Sequence, residues 1–197
     1  MATICGLISD DIERNCDALP VGGVKSVIHV MNLADIEAVA YDTTNPLIVT
    51  DITLKTGAKA YKYEVFKRGH KPSFTLVKGD YGDRYRHQID TSIQVWDNTT
   101  KAQVEGLFSG EVVVIAENLQ ASGDARFEIY GYSNGLSVAD GATRNLGENE
   151  GVLTYTLQSE DGSLEAKIPY TFAVLTGSVY SYTDTLEAVI ALETPAT

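Results

Sequence analysis

Two cysteines, one tryptophan, two methionines and five prolines are spread over 197 residues. Cys5 and Cys16 have no histidine near them in sequence, and a structural zinc site needs clustered ligands, so no metal site is expected there. The opening MATICGLISDDIERNCDALP has no basic n-region and no long apolar stretch, and so does not read as a secretory signal. The two thiols are therefore expected reduced and buried rather than bridged, and the Asn98-Thr99-Thr100 sequon carries no weight. No run of 18 or more apolar residues occurs, which leaves no candidate membrane-spanning helix. Neither G-x-x-x-x-G-K-[ST] nor G-x-G-x-x-G is present, so the common nucleotide-binding motifs are excluded and no cofactor is expected.

Histidine is scarce as well, and its positions settle the reading of one motif. RFEIYGYSNGL, residues 126–136, contains G-x-S-x-G, the turn that carries a nucleophilic serine in α/β-hydrolases. That elbow needs a strand before the serine, a helix after it and a histidine later in the chain. Arg126, Glu128 and Tyr130 alternate with Phe127 and Ile129, which supplies the strand. The following SVADGATRNLGENEG is broken by Gly141, Gly147 and Gly151 and has no period of 3.6. His29, His70 and His87 all precede Ser133. A triad in another chain order is the convergent alternative. The expectation is a strand running into a glycine turn, Ser133 without a nucleophilic role, and no enzyme.

Basic residues are few in the second half. Residues 1–90 hold eleven Lys and Arg against twelve Asp and Glu, whereas residues 91–197 hold four against fifteen. Inside the first part, residues 55–86 carry nine basic and three acidic residues. A formal net charge of −12 argues against a general nucleic-acid binder.

What the sequence has in quantity is period-two alternation. In RYRHQIDTSIQVW, Tyr85, His87, Ile89, Thr91, Ile93 and Val95 point one way, with Gln88, Ser92 and Gln94 among those pointing the other, which predicts a strand with one wet face. KAYKYEVF, NPLIVTDITLK, SFTLVKG, GVLTYTLQ and SLEAKIPY read as further strands, and Asp161-Gly162 as a type I′ hairpin dipeptide. EVVVIAE is continuously apolar from Val112 to Ala116, which suits a strand buried on both faces. DNTTKAQVEGLFSG predicts a helix with Thr100, Val104, Leu107 and Phe108 on one stripe and a cap among Asp97 to Thr99. TDTLEAVIALE predicts a second, with Leu186, Val189 and Ile190 together and Thr183 or Asp184 as cap. The fold class expected is mainly β: an antiparallel sandwich or barrel with one flanking α-helix and a short C-terminal helix. Residues 1–23 read as a possible N-terminal arm and residues 24–197 as a single β-rich domain.

Two constellations bear on function. Asp80, Asp83, His87 and Asp90 gather in KGDYGDRYRHQID, but a calcium loop sets its oxygens around a tight turn, whereas this chain runs on into a strand. A hairpin with a solvated rim is expected, without metal. The basic segment interleaves Lys62, Lys67, Arg68, Lys71, Arg84 and Arg86 with Tyr61, Tyr63, Phe66, Phe74, Tyr81 and Tyr85. Such a mixture suits a single-strand platform, or tyrosines facing a core while lysines face water, or a positive surface that docks on the acidic half of another copy. Those six basic residues are the candidate subunit contacts.

ARFEIYGYSNGL, the glycine-containing loop after it, GVLTYTLQSEDGSLEAKIPYTF and the terminal helix resemble, in wording and order, tail tube and related virion proteins of tailed bacteriophages, especially those of gut Bacteroidetes phages. The likeness covers residues 45–192 and is closest over 126–172; residues up to 23 lie outside it. It implies a β-sandwich or barrel subunit that self-associates into hexameric rings, which stack into a tube beside other virion proteins. It further implies that DNA passes through the acidic lumen without tight binding and that no membrane is involved. It also implies location in the virion, and in the host cytoplasm during assembly. A capsid decoration or head–tail connector protein is the nearest alternative. A carbohydrate-binding β-sandwich, with the eleven tyrosines and Trp96 as platform, is a third reading from another class.

Overall fold

The computed structural model describes residues 22–65, 69–79, 82–94, 97–119, 126–144 and 152–196. At its centre lies the apolar run anticipated above, strand β7 (Val112–Asn118), buried at six of its seven positions. A strand turns alternate side chains to opposite faces. Val112, Val114 and Ala116 accordingly enter one core, and Val113 and Ile115 enter another.

β7 sits inside a seven-stranded sheet. Its order is β2 (Ile36–Tyr41), β3 (Ile48–Leu54), β12 (Tyr170–Phe172), β8 (Phe127–Tyr130), β7, β1 (Val24–Asn32) and β4 (Tyr61–Glu64). A second sheet runs β10 (Thr143–Arg144), β11 (Val152–Gln158), β6 (Arg84–Gln94) and β5 (Lys71–Val77), with β9 (Ser137–Val138) also on β11. The first core fills the space between the sheets. Ile28, Val30 and Val114 meet Ile89, Leu153 and Leu157 there, and Leu107 of helix α1 (Asn98–Ser109) closes it. On the far face of the larger sheet, Met31, Ile115, Ile129 and Phe172 lie under Val189 of helix α2 (Tyr182–Ala191). Each fully buried side chain of this kind contributes about 1.5–3 kcal/mol of transfer free energy, against the entropy of ordering it. β13 (Leu175–Thr176) and β14 (Val179–Tyr180) form a separate small hairpin.

The protein is thus mainly β, and of the two architectures expected it adopts the sandwich: neither sheet closes into a barrel. Its pairing is antiparallel with one exception among the described residues, β12 beside β3, where Thr171 faces Ile48 in parallel. β6 alternates as its sequence requires. His87, Ile89 and Thr91 are buried, and Ser92 is half-exposed on the other face. Val95 and Trp96 fall outside the described residues.

Several expectations are corrected. SLEAKIPY is no strand: only Glu165 bridges to Tyr85, and β12 begins at Tyr170, after Pro169, which has no N–H to give a ladder. Gly162 does not take positive φ, so Asp161-Gly162 forms no type I′ turn. Asp97 caps α1 as expected, accepting from the Thr100 nitrogen at 2.7 Å. α2, however, is capped by Ser181, which accepts from the Asp184 nitrogen. Phe108 and Ile190 stay exposed because each stripe is wider than the surface its helix covers. Tyr63 packs on the first core while Tyr61, on the same face of β4, lies beyond the cover of the second sheet. Strand β1 had no clear period in the sequence, since Val27-Ile28 and Val30-Met31 place apolar residues on both faces.

Candidate functional site

The turn that spells G-x-S-x-G is built by residues far from it in sequence. Gly131 and Gly135 have φ of 73° and 78°, the left-handed region that glycine enters freely. A methyl group at Gly131 would sit 2.5 Å from Leu136 Cγ, and one at Gly135 2.9 Å from Glu111 Cβ. Inside the turn lies the Glu165 carboxylate, fully buried. It accepts from the Ser133 nitrogen through both oxygens, at 3.2 and 3.1 Å, and from the Asn134 nitrogen at 3.0 Å. His87, also fully buried, accepts from the Gly131 nitrogen at Nδ1 (3.1 Å). With Nδ1 accepting, the proton is on Nε2, which donates to the Lys167 carbonyl at 3.0 Å.

These contacts assign roles. A serine, a histidine and a glutamate do meet, in an order other than the hydrolase one. Yet the carboxylate binds backbone N–H groups rather than imidazole, and both imidazole nitrogens are committed elsewhere, so His87 has no lone pair for the Ser133 hydroxyl. Burial lowers the proton affinity of His87, with the Glu165 charge acting against that. What the cluster does is hold the turn. No sequence signal marked it, because Glu165 falls in phase with Ser163 and Lys167 as a polar position of an alternating segment.

The acid-rich stretch after β5 does not gather either. His87 points into the core, whereas Asp90 faces out and accepts from Gln88 Nε2 at 2.9 Å and Thr156 Oγ1 at 2.8 Å. Asp80 falls outside the described residues. Among the described residues no three His, Cys, Asp or Glu side chains are grouped to hold a metal ion.

Of the six candidate basic contacts, Lys67 and Arg68 fall outside the described residues. Lys62 pairs with Glu64 on its own strand at 3.4 Å, and Arg86 pairs with Asp161 of the acidic half of the same chain. Lys71 and Arg84 are exposed and make no ion pair among the described residues. The acidic half is also partly spent inside the fold. Glu117 is buried on β7, held by Lys25 Nζ at 2.8 Å, Arg126 Nε at 2.9 Å and the Tyr182 hydroxyl at 3.0 Å. With Glu165 it removes two charges from the surface that the residue count assigns there.

The exposed basic residues flank an uncovered edge. β5 pairs with β6 over seven unbroken positions, Lys71 opposite Asp90 through Val77 opposite Arg84. Phe74 lies opposite His87 and Pro72 opposite Ile89, so Pro72, Phe74 and Leu76 turn to the face that elsewhere forms the core. The larger sheet does not reach under them: Phe74 is 50% and Leu76 45% exposed. Phe74 rests edge-on against Tyr85, ring centres 6.3 Å apart. Comparison with known proteins brings no further guide, for no family, no curated protein and no solved structure matches the chain.

Proposed function

We propose that the chain is a structural subunit of a tailed-phage virion, a tail tube protein whose copies join into rings that stack into a conduit for DNA. The observation that carries self-assembly is the overhang of β5. A strand that pairs on one side only among the described residues, with half-exposed Phe74 and Leu76, is a surface that proteins normally cover. The exposed Lys71 and Arg84 beside it give that surface a sign, in a chain whose formal charge is −12. The tube assignment within assembling proteins rests on the resemblance of residues 45–192, and the acidic balance suits a wall that repels phosphate.

Negative-stain microscopy and sedimentation of the purified protein test this reading. Rings or tubes are expected, with no retention of duplex DNA at physiological salt. Compact trimers favour capsid decoration instead, and monomers at every concentration overturn the assembly reading.

A further inference from the structure

We propose that β5 of one copy adds its free edge to β2 of a second copy, so that the assembly is joined head to tail through one basic and one acidic sheet edge. This rests on the assembly reading above. A proline in a strand turns its hydrogen-less nitrogen away from the ladder. By the period of two, Phe74 and Leu76 then turn their N–H and C=O groups outward as Pro72 does. β5 therefore offers main-chain donors and acceptors together with exposed apolar side chains.

Among the described residues, the outer strands of a second copy are not equivalent. β10 has two residues, and β4 has four, with Lys62 and Glu64 cancelling one another. A second β5 would bring Lys71, Lys78 and Arg84 against like charges. β2 is six residues long, and its Glu37, Ala38, Ala40 and Tyr41 are exposed. Between Lys25 and Lys55 the chain has no lysine or arginine, while Asp35, Glu37, Asp42 and Asp51 lie on or beside this edge. Ala38 to Ala40 pair with β3 without a register shift, and irregularities flank them on both sides. That leaves a short regular stretch whose small side chains give room to Phe74 and Leu76. Because the stretch is short, charge complementarity supplies much of the selectivity. Two different edges in contact make a heterologous interface, which closes into a ring or propagates as a filament.

The test is a charge exchange. Variant K71E/R84E reverses the charges beside the β5 edge, at Lys71 on β5 and at Arg84 opposite its end on β6. Variant E37K/D51K reverses those beside the β2 edge, at Glu37 on β2 and at Asp51 on the adjoining β3. A third carries all four changes. Sedimentation velocity at low salt gives the concentration for half-assembly, and circular dichroism of dilute protein checks the fold. Each reversed pair is expected to raise that concentration about tenfold or more, and the combination to return it to within about threefold of wild type. Indifference to the β2 reversal, or failure of the combination to restore assembly, overturns the pairing and leaves the assembly reading in place. Wild type that stays monomeric overturns the assembly reading and the pairing with it.

Discussion

Glu165 and Ser133 are joined across 32 positions of chain, both carboxylate oxygens of the glutamate lying within 3.2 Å of the serine's backbone nitrogen. The link uses the main chain of Ser133, not its hydroxyl. Glu165→Ala should destabilise the protein by roughly 2–4 kcal/mol, because it removes the buried charged acceptor that holds two part-buried N–H groups of the turn and leaves its space empty. Ser133→Ala should change stability by less than about 0.5 kcal/mol. Chemical denaturation of the two variants checks the contrast. Labelling of Ser133 by a fluorophosphonate probe would show that the hydroxyl is activated after all.

The glycines of the same turn supply a second expectation. Gly135→Val places a branched side chain at φ 78° with its Cβ 2.9 Å from that of Glu111, and should cost more than about 1 kcal/mol. Gly141 also has positive φ but nothing within 4 Å of an added Cβ, so Gly141→Ala should cost less than Gly131→Ala. Melting temperatures of the alanine pair separate crowding from backbone strain.

On β6 the two faces should differ sharply. Ile89 is fully buried between the sheets, and Ile89→Ala should cost about 2–5 kcal/mol through lost burial and the cavity left behind. Ser92→Ala, on the wet face, should stay within about 0.5 kcal/mol. Equal losses in urea titrations would mean that the strand's outer face is covered as well.

All three histidines are buried, and burial lowers the proton affinity of each. Glu193 opposes this at His29 and Glu165 at His87, while at His70 two backbone carbonyl groups, of Tyr63 and Ser26, do so. A histidine whose folded pKa lies below its ordinary value of about 6.5 binds more protons unfolded than folded. Stability should therefore be fully present above pH 6.5 and fall as the pH drops below it, by up to about 1.4 kcal/mol per unit for each histidine in its titration range. Thermal unfolding at pH 7.5, 6.5 and 5.5 checks the sign. A melting temperature that rises on acidification would mean that the carboxylates beside the imidazoles outweigh their burial.

The sequence by itself determined the local pattern. The alternation of β6, the unbroken apolar run of β7, the Asp97 cap of α1 and the glycine turn after β8 are all short-range properties, fixed by a period of two or by the sterics of one residue, and each is present in the fold. Only the tertiary structure decided what those elements meet. Glu165 reads as one more polar position in a strand until the turn of 131–135 closes over it. Charge counted along the chain separates a basic segment from an acidic half, yet Arg86 meets Asp161 within one copy and Glu117 disappears under Lys25 and Arg126. Phe74 and Leu76 carry the alternation of core residues and remain exposed, because burial depends on whether another sheet lies opposite, and no local period encodes how far that sheet extends.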